Sequence, residues 1–143
     1  MTLVNSLVLG KWYLLASDYP SDGQDHDLTT EFTKVGDQYF VDMKACDRGL
    51  PVIVKPQPIT WSSTVEGAFA DGYDSYTILA VNWSTCMIMK STRGVVAMSK
   101  TPRPTFEQAM WLTQMAERAK QMFNNPKTVK LHAIAVGDAC YPA

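Results

Sequence analysis

Along the first hundred positions, apolar and polar residues alternate in short runs. The runs are cut by turn formers at roughly the 8–12-residue spacing of antiparallel sandwiches and barrels. The alternation predicts a strand over residues 9–17, then a long exposed loop through the acids and turn formers of residues 18–27. Further strands are predicted over residues 28–34, 38–45, 52–54, 60–69, 76–81, 86–89 and 95–98. Gly36-Asp37, Asp47-Arg48-Gly49, Asp71-Gly72, Asn82-Trp83-Ser84 and Thr92-Arg93-Gly94 turn the chain between them. The 52–54 segment is bounded by Pro51, Pro56 and Pro58, which suits an edge. In 60–69, Trp61, Val65 and Phe69 are expected to face one way.

After residue 100 the period changes. Thr105 and Gln108 form a capping box behind Pro104, and residues 106–123 are helix formers. Leu112, Met115, Ala116, Ala119, Met122 and Phe123 make one apolar stripe. Asn124-Asn125-Pro126 ends the helix, and residues 128–136 read as a last short strand before a loose tail. Strands in regular succession with one late helix point to an antiparallel sandwich or barrel, not to a βαβ fold.

Composition narrows the function classes. At 143 residues the chain is one domain, 1–143, able to bury about two thirds of its unfolded surface. Thirteen basic and fourteen acidic side chains leave a net charge of −1, which argues against a nucleic-acid footprint and a polybasic membrane anchor. No apolar run approaches the roughly 20 residues of a membrane span. The opening residues 1–6 lack the basic and long apolar regions of a secretory signal. Cys46, Cys86 and Cys140 show no metal-site spacing; they are either three buried thiols or one bridge and a leftover thiol.

Gly10-Lys11-Trp12-Tyr13 and the apolar residues after it resemble the first motif of the lipocalins, small β-barrels that carry hydrophobic ligands. The likeness runs along nearly the whole chain and is nearest to the branch of apolipoprotein D and neutrophil lipocalin. The family's second motif, Thr-Asp-Tyr, falls on Val81-Asn82-Trp83, which keeps the aromatic and lacks the acid. The third, an arginine before the helix, falls on Lys100, with Arg103 as a competing position. In the family that arginine lies over the first-motif tryptophan, so the resemblance implies a cation–π contact from Lys100 to the Trp12 indole, without the flat stack of a guanidinium.

The resemblance implies an all-β fold: an eight-stranded antiparallel up-and-down β-barrel, one C-terminal α-helix packed outside, and a short final strand. Gly10, Trp12 and Lys100 would be structural. The resemblance also implies a bridge between Cys46 and Cys140, worth roughly 4–5 kcal/mol in the chain-entropy model, and an oxidising, extracellular setting. The glycosylation sequon Asn82-Trp83-Ser84 agrees with secretion.

Chemistry is sparse. One lipocalin branch isomerises a prostaglandin with a barrel thiol, but Cys86 stands in a late strand rather than an early one, so a plain buried thiol is expected. His26 and His132 have no ligand partners at metal spacing, and Asp18, Asp22, Asp25 and Asp27 lack the register of a calcium loop. No cofactor is expected.

What remains is the barrel interior, for which the candidate lining is Leu14, Phe32, Tyr39, Phe40, Met43, Trp61, Phe69, Tyr76, Ile78 and Met98. Phe40 replaces Met43 inside if a bulge intervenes. Strand 86–89 turns inward either Cys86 and Ile88 or Met87 and Met89. Tyr39 and Tyr76 offer orienting hydroxyls. The expected function is a secreted carrier for one small hydrophobic ligand (lipid, fatty acid, retinoid, or bilin- or haem-type pigment), acting as a monomer or weak dimer. The alternatives are a solid barrel serving as scaffold for an interaction protein, through its loops or an exposed Trp83 or Trp111, and a thiol isomerase.

Overall fold

The computed structural model describes residues 7–17, 25–47, 50–53, 55–92, 94–122 and 132–133. Within 25–28, 45–47, 50–53 and 132–133 only the backbone path is described. Among the described residues the longer elements, ten strands and one helix, follow in the order β1 (Gly10–Ser17), β2 (Asp25–Val35), β3 (Gln38–Asp47), β4 (Leu50–Ile53), β5 (Gln57–Trp61), β6 (Ala68–Ala70), β7 (Ser75–Asn82), β8 (Cys86–Ser91), β9 (Val95–Ser99), α1 (Phe106–Met122) and β10 (His132–Ala133). Every pairing is antiparallel. Neighbours run β1-β2-β3-β5-β6-β7-β8-β9, and β9 returns to β1, so eight strands close a barrel. Closure leaves no unpaired sheet edge in the ring. β10 adds to β1 beyond the end of β2, with Ala16 opposite Ala133 and Ser17 opposite His132.

Two stretches differ from the sequence expectation. The expected 52–54 strand is the first half of a longer segment in which β4 and β5 both pair with β3. The register slips by one between Ile53 and Gln57, where Pro56 can donate no ladder bond. The expected 60–69 strand is a hairpin instead, with Trp61 opposite Phe69. Ser62 Oγ accepts from the amides of Thr64 (3.2 Å) and Val65 (3.0 Å), offering the chain a turn in place of a ladder. Gly67 sits at φ +80°, and a Cβ there would lie 3.2 Å from the Ile78 carbonyl oxygen. Val65 is therefore in the turn and exposed.

Two bulges divide the side chains between layers. The register shifts between Leu14 and Ala16 on β1 and between Ile78 and Ala80 on β7. Each bulge turns two successive side chains outward, Leu15 with Ala16 and Leu79 with Ala80, beneath the helix. There they meet Cys86, Ile88, Val95 and Ala97 from the barrel and Leu112, Ala116 and Ala119 from α1. The interior layer holds Trp12, Phe32, Val41, Ile59, Phe69, Ile78, Met87, Met89, Val96 and Met98.

The helix starts where its capping box predicts. Gln108 N donates to Thr105 Oγ1 (3.2 Å), and Thr105 N donates to Gln108 Oε1 (2.9 Å). Its buried stripe is Leu112, Ala116, Ala119 and Lys120, with Met115 partly covered, while Met122 is exposed. Lys120 lays its stem along the barrel, its Nζ 3.7 Å from Glu117. Phe123 lies outside the described residues, as does the expected last strand except for His132 and Ala133. Among the described residues no helix is long and apolar enough to cross a membrane.

Candidate functional site

In an up-and-down ring the hairpins alternate ends. The β2–β3, β5–β6 and β7–β8 turns share one end with Val8, Gly10 and Lys100; the β6–β7 and β8–β9 turns lie at the other. The first end is sealed. Trp12 is completely buried, and its Nε1 donates to the Val8 carbonyl oxygen at 2.8 Å. Lys100 Nζ lies 5.2 Å from the centre of the Trp12 ring. Lys100 is held from behind, its amide donating to Thr85 O at 2.9 Å. Gly10, at φ +113°, brings the backbone under the ammonium; a Cβ there would stand 3.7 Å from Lys100 Cε and Nζ. Arg103 is exposed, and its backbone amide donates to Thr101 Oγ1 at 3.3 Å.

Above this floor the interior is aromatic. Phe69 stacks on Tyr76 (5.0 Å between centroids), tilts against Trp61 (5.1 Å) and meets Phe32 edge-on (5.7 Å). Tyr39 meets Trp61 edge-on at 5.6 Å. Trp61 Nε1 is buried without an acceptor among the described residues. One pleat farther from the Trp12 end, Leu14, Met43 and Tyr76 face the same interior and are partly exposed, as Tyr39 and Trp61 also are.

Compared with known proteins, the sequence matches no family model and no curated protein. Solved structures do match. Insecticyanin from the tobacco hornworm Manduca sexta superposes with a TM-score of 0.73 at 12% identity, covering 96% of this chain and 82% of that one. Lobster apocrustacyanin A1 gives 0.68 at 14%, with the same coverages. The cockroach allergen Per a 4 gives 0.65 at 15%, over 92% of this chain and 87% of that one. The chain folds as a lipocalin. At such identities the likeness is one of fold, and what the lipocalin barrel does here rests on its own side chains.

Of the ten lining residues expected from the sequence, nine face the interior of this lipocalin barrel: Leu14, Phe32, Tyr39, Met43, Trp61, Phe69, Tyr76, Ile78 and Met98. Phe40 does not. The β2–β3 register runs unbroken from Thr29 opposite Lys44 to Val35 opposite Gln38, so Phe40 alternates outward between Tyr39 and Val41. On β8 the inward pair is Met87 and Met89. Cys86 points the other way, into the layer beneath α1, where burial pushes its thiol pKa up and a contact to Thr85 Oγ1 at 3.9 Å partly opposes that. Of the two arrangements left open for strand 86–89, the structure therefore has Met87 and Met89 inside, with Cys86 and Ile88 in the layer beneath α1.

Val41, Ile59 and Val96 are further interior residues outside that lining; alternation along strands 38–45 and 95–98 already groups Val41 with Tyr39 and Met43, and Val96 with Met98. The expected bridge between Cys46 and Cys140 lies outside the described residues. So do the 18–24 loop and the side chains of His26 and His132.

Proposed function

We propose that this lipocalin barrel holds one small, largely apolar molecule and that the protein is an extracellular carrier of it. The observation that carries this reading is the half-covered trio Leu14, Met43 and Tyr76 above a floor sealed by Trp12 and Lys100. A filled core would leave such side chains covered on all sides. Met43 and Met89 add flexible thioethers that adapt to irregular shapes. The Tyr76 ring, stacked on Phe69, offers a flat contact.

A ligand losing about 500 Å² of apolar surface gains roughly 12 kcal/mol. Subtracting the low end of the association cost, about 4 kcal/mol, leaves micromolar affinity. The test is a titration with a fatty acid, a retinoid, a bilin and haem, read by tryptophan emission, beside a Leu14→Trp variant that fills the trio. The reading predicts saturable quenching by at least one probe, lost in Leu14→Trp. It fails if no probe quenches. The extracellular setting predicts a Cys46–Cys140 bridge, which intact mass with and without reductant detects.

A further inference from the structure

A second concavity lies outside the barrel, between the β7–β8 turn and the first turns of α1. It is a groove of about 500 Å³, open on one side and lined by Asn82, Trp83, Phe106, Glu107, Met110, Trp111 and Gln114. Three large apolar side chains around it are left to solvent: Phe106 (81% exposed), Trp83 (46%) and Met110 (45%). The Trp83 and Trp111 rings stand 6.0 Å apart at 67°, forming an aromatic corner.

Holding that corner open carries a conformational cost. Trp83 (φ +54°) and Ser84 (φ +55°) are the central residues of the hairpin, which Thr85 N closes by donating to Asn82 O at 3.1 Å. Both adopt the left-handed region that glycine and asparagine favour at such turns and that a bulky side chain enters only under strain. Strain of this kind tends to persist where the strained side chain has a task.

The charge of the groove selects its occupant. Glu107 is the only ionised group among the lining residues, and none of them is basic. An anion finds little at the adjacent helix start, because Thr105 and Gln108 already cap each other's amides. A neutral apolar guest would draw nothing from the carboxylate. Indole faces, a phenyl ring and one carboxylate together match a compact cation with a greasy surface. We propose that this groove is a second binding site, for a small soluble quaternary ammonium compound of the choline type. It is independent of the barrel site.

The experiment is calorimetric titration with choline chloride, at fixed ionic strength, of protein made without a glycan at Asn82. A parallel titration uses the neutral tert-butyl analogue, in which carbon replaces the ammonium nitrogen. Choline is expected to saturate and the analogue is not. Trp83→Asn suits the left-handed turn, so it should keep or raise the melting temperature while weakening choline about fivefold or more. Glu107→Gln and the exposed Phe106→Ala should weaken it similarly. Equal binding of the analogue, unchanged choline affinity in Trp83→Asn, or a signal that follows protein concentration as self-association would, each overturns the assignment.

Discussion

Lys100 offers the sharpest test of how this barrel is closed. Its ammonium lies 5.2 Å from the centre of a completely buried indole, while Lys100 itself is half covered. Cation–π pairs contribute about 0.5–1 kcal/mol when exposed and about 2 when desolvated, so a half-covered one falls near 1 kcal/mol. Lys100→Met keeps the length of the stem and removes only the charge. It should cost about 1 kcal/mol, a drop of about 3–4 °C in melting temperature for a chain of this size. Lys100→Arg lays a flat guanidinium on the ring and should recover that amount or slightly exceed it. Urea melts followed by far-ultraviolet circular dichroism measure both variants. A cycle with Trp12→Phe isolates the pair, because loss of the 2.8 Å bond to Val8 O is common to both Trp12→Phe arms. The expected coupling is about 0.5–1 kcal/mol. Lys100→Met as stable as the parent, or a coupling of zero, would refute the reasoning.

Two further outcomes follow from neighbouring features. Gly10→Ala should cost about 1–3 kcal/mol through its φ of +113° rather than through crowding, since the new Cβ meets Lys100 at an ordinary 3.7 Å; urea melts in a Lys100→Ala background should show the same loss, and its disappearance there would assign the cost to contact instead. The Cys86 thiol holds its proton to higher pH in the folded protein than in the unfolded chain, because burial disfavours the thiolate. Its contribution to stability is therefore complete below the ordinary thiol range and is lost as pH rises through and beyond it. Cys86→Ala should show a smaller alkaline fall in urea midpoint than the parent, and equal falls would count against this.

Much of the architecture could be read from local pattern. The β2–β3 hairpin, the capping box at Thr105 and, up to their bulges, the inward positions of β1 and β7 follow from alternation and from residues that satisfy their own neighbours. Where two physical signals compete, local pattern misleads or leaves the outcome open. Trp61, Val65 and Phe69 keep a strand's spacing across a stretch in which Ser62 and Gly67 favour a turn: Ser62 Oγ accepts from two turn amides, and Gly67 adopts φ +80° where a Cβ would sit a tight 3.2 Å from the Ile78 carbonyl oxygen. Phe40 and Met43 are equally apolar, so only the unbroken pairing with β2 decides which enters the barrel. On β8, Cys86 through Met89 are all buried, with a layer on either side, and no periodicity can separate two faces that are both dry. The groove beside α1 was visible only as two tryptophans far apart in sequence; their meeting is a product of the closed ring.

Closure itself has a consequence in time. Leu14 pairs with Met98, and the Trp12 ring is covered by Lys100, so the earliest-made wall of the barrel waits for nearly the last. A nascent chain halted before Val95 carries two bare ribbon edges, on β1 and β8, and an indole without its lid, all of which invite contact with other chains. Sealing the circle is thus a late act in which the two extremities of a long polymer must meet. The contact that closes the ring therefore spans more of the sequence than any hairpin along the way.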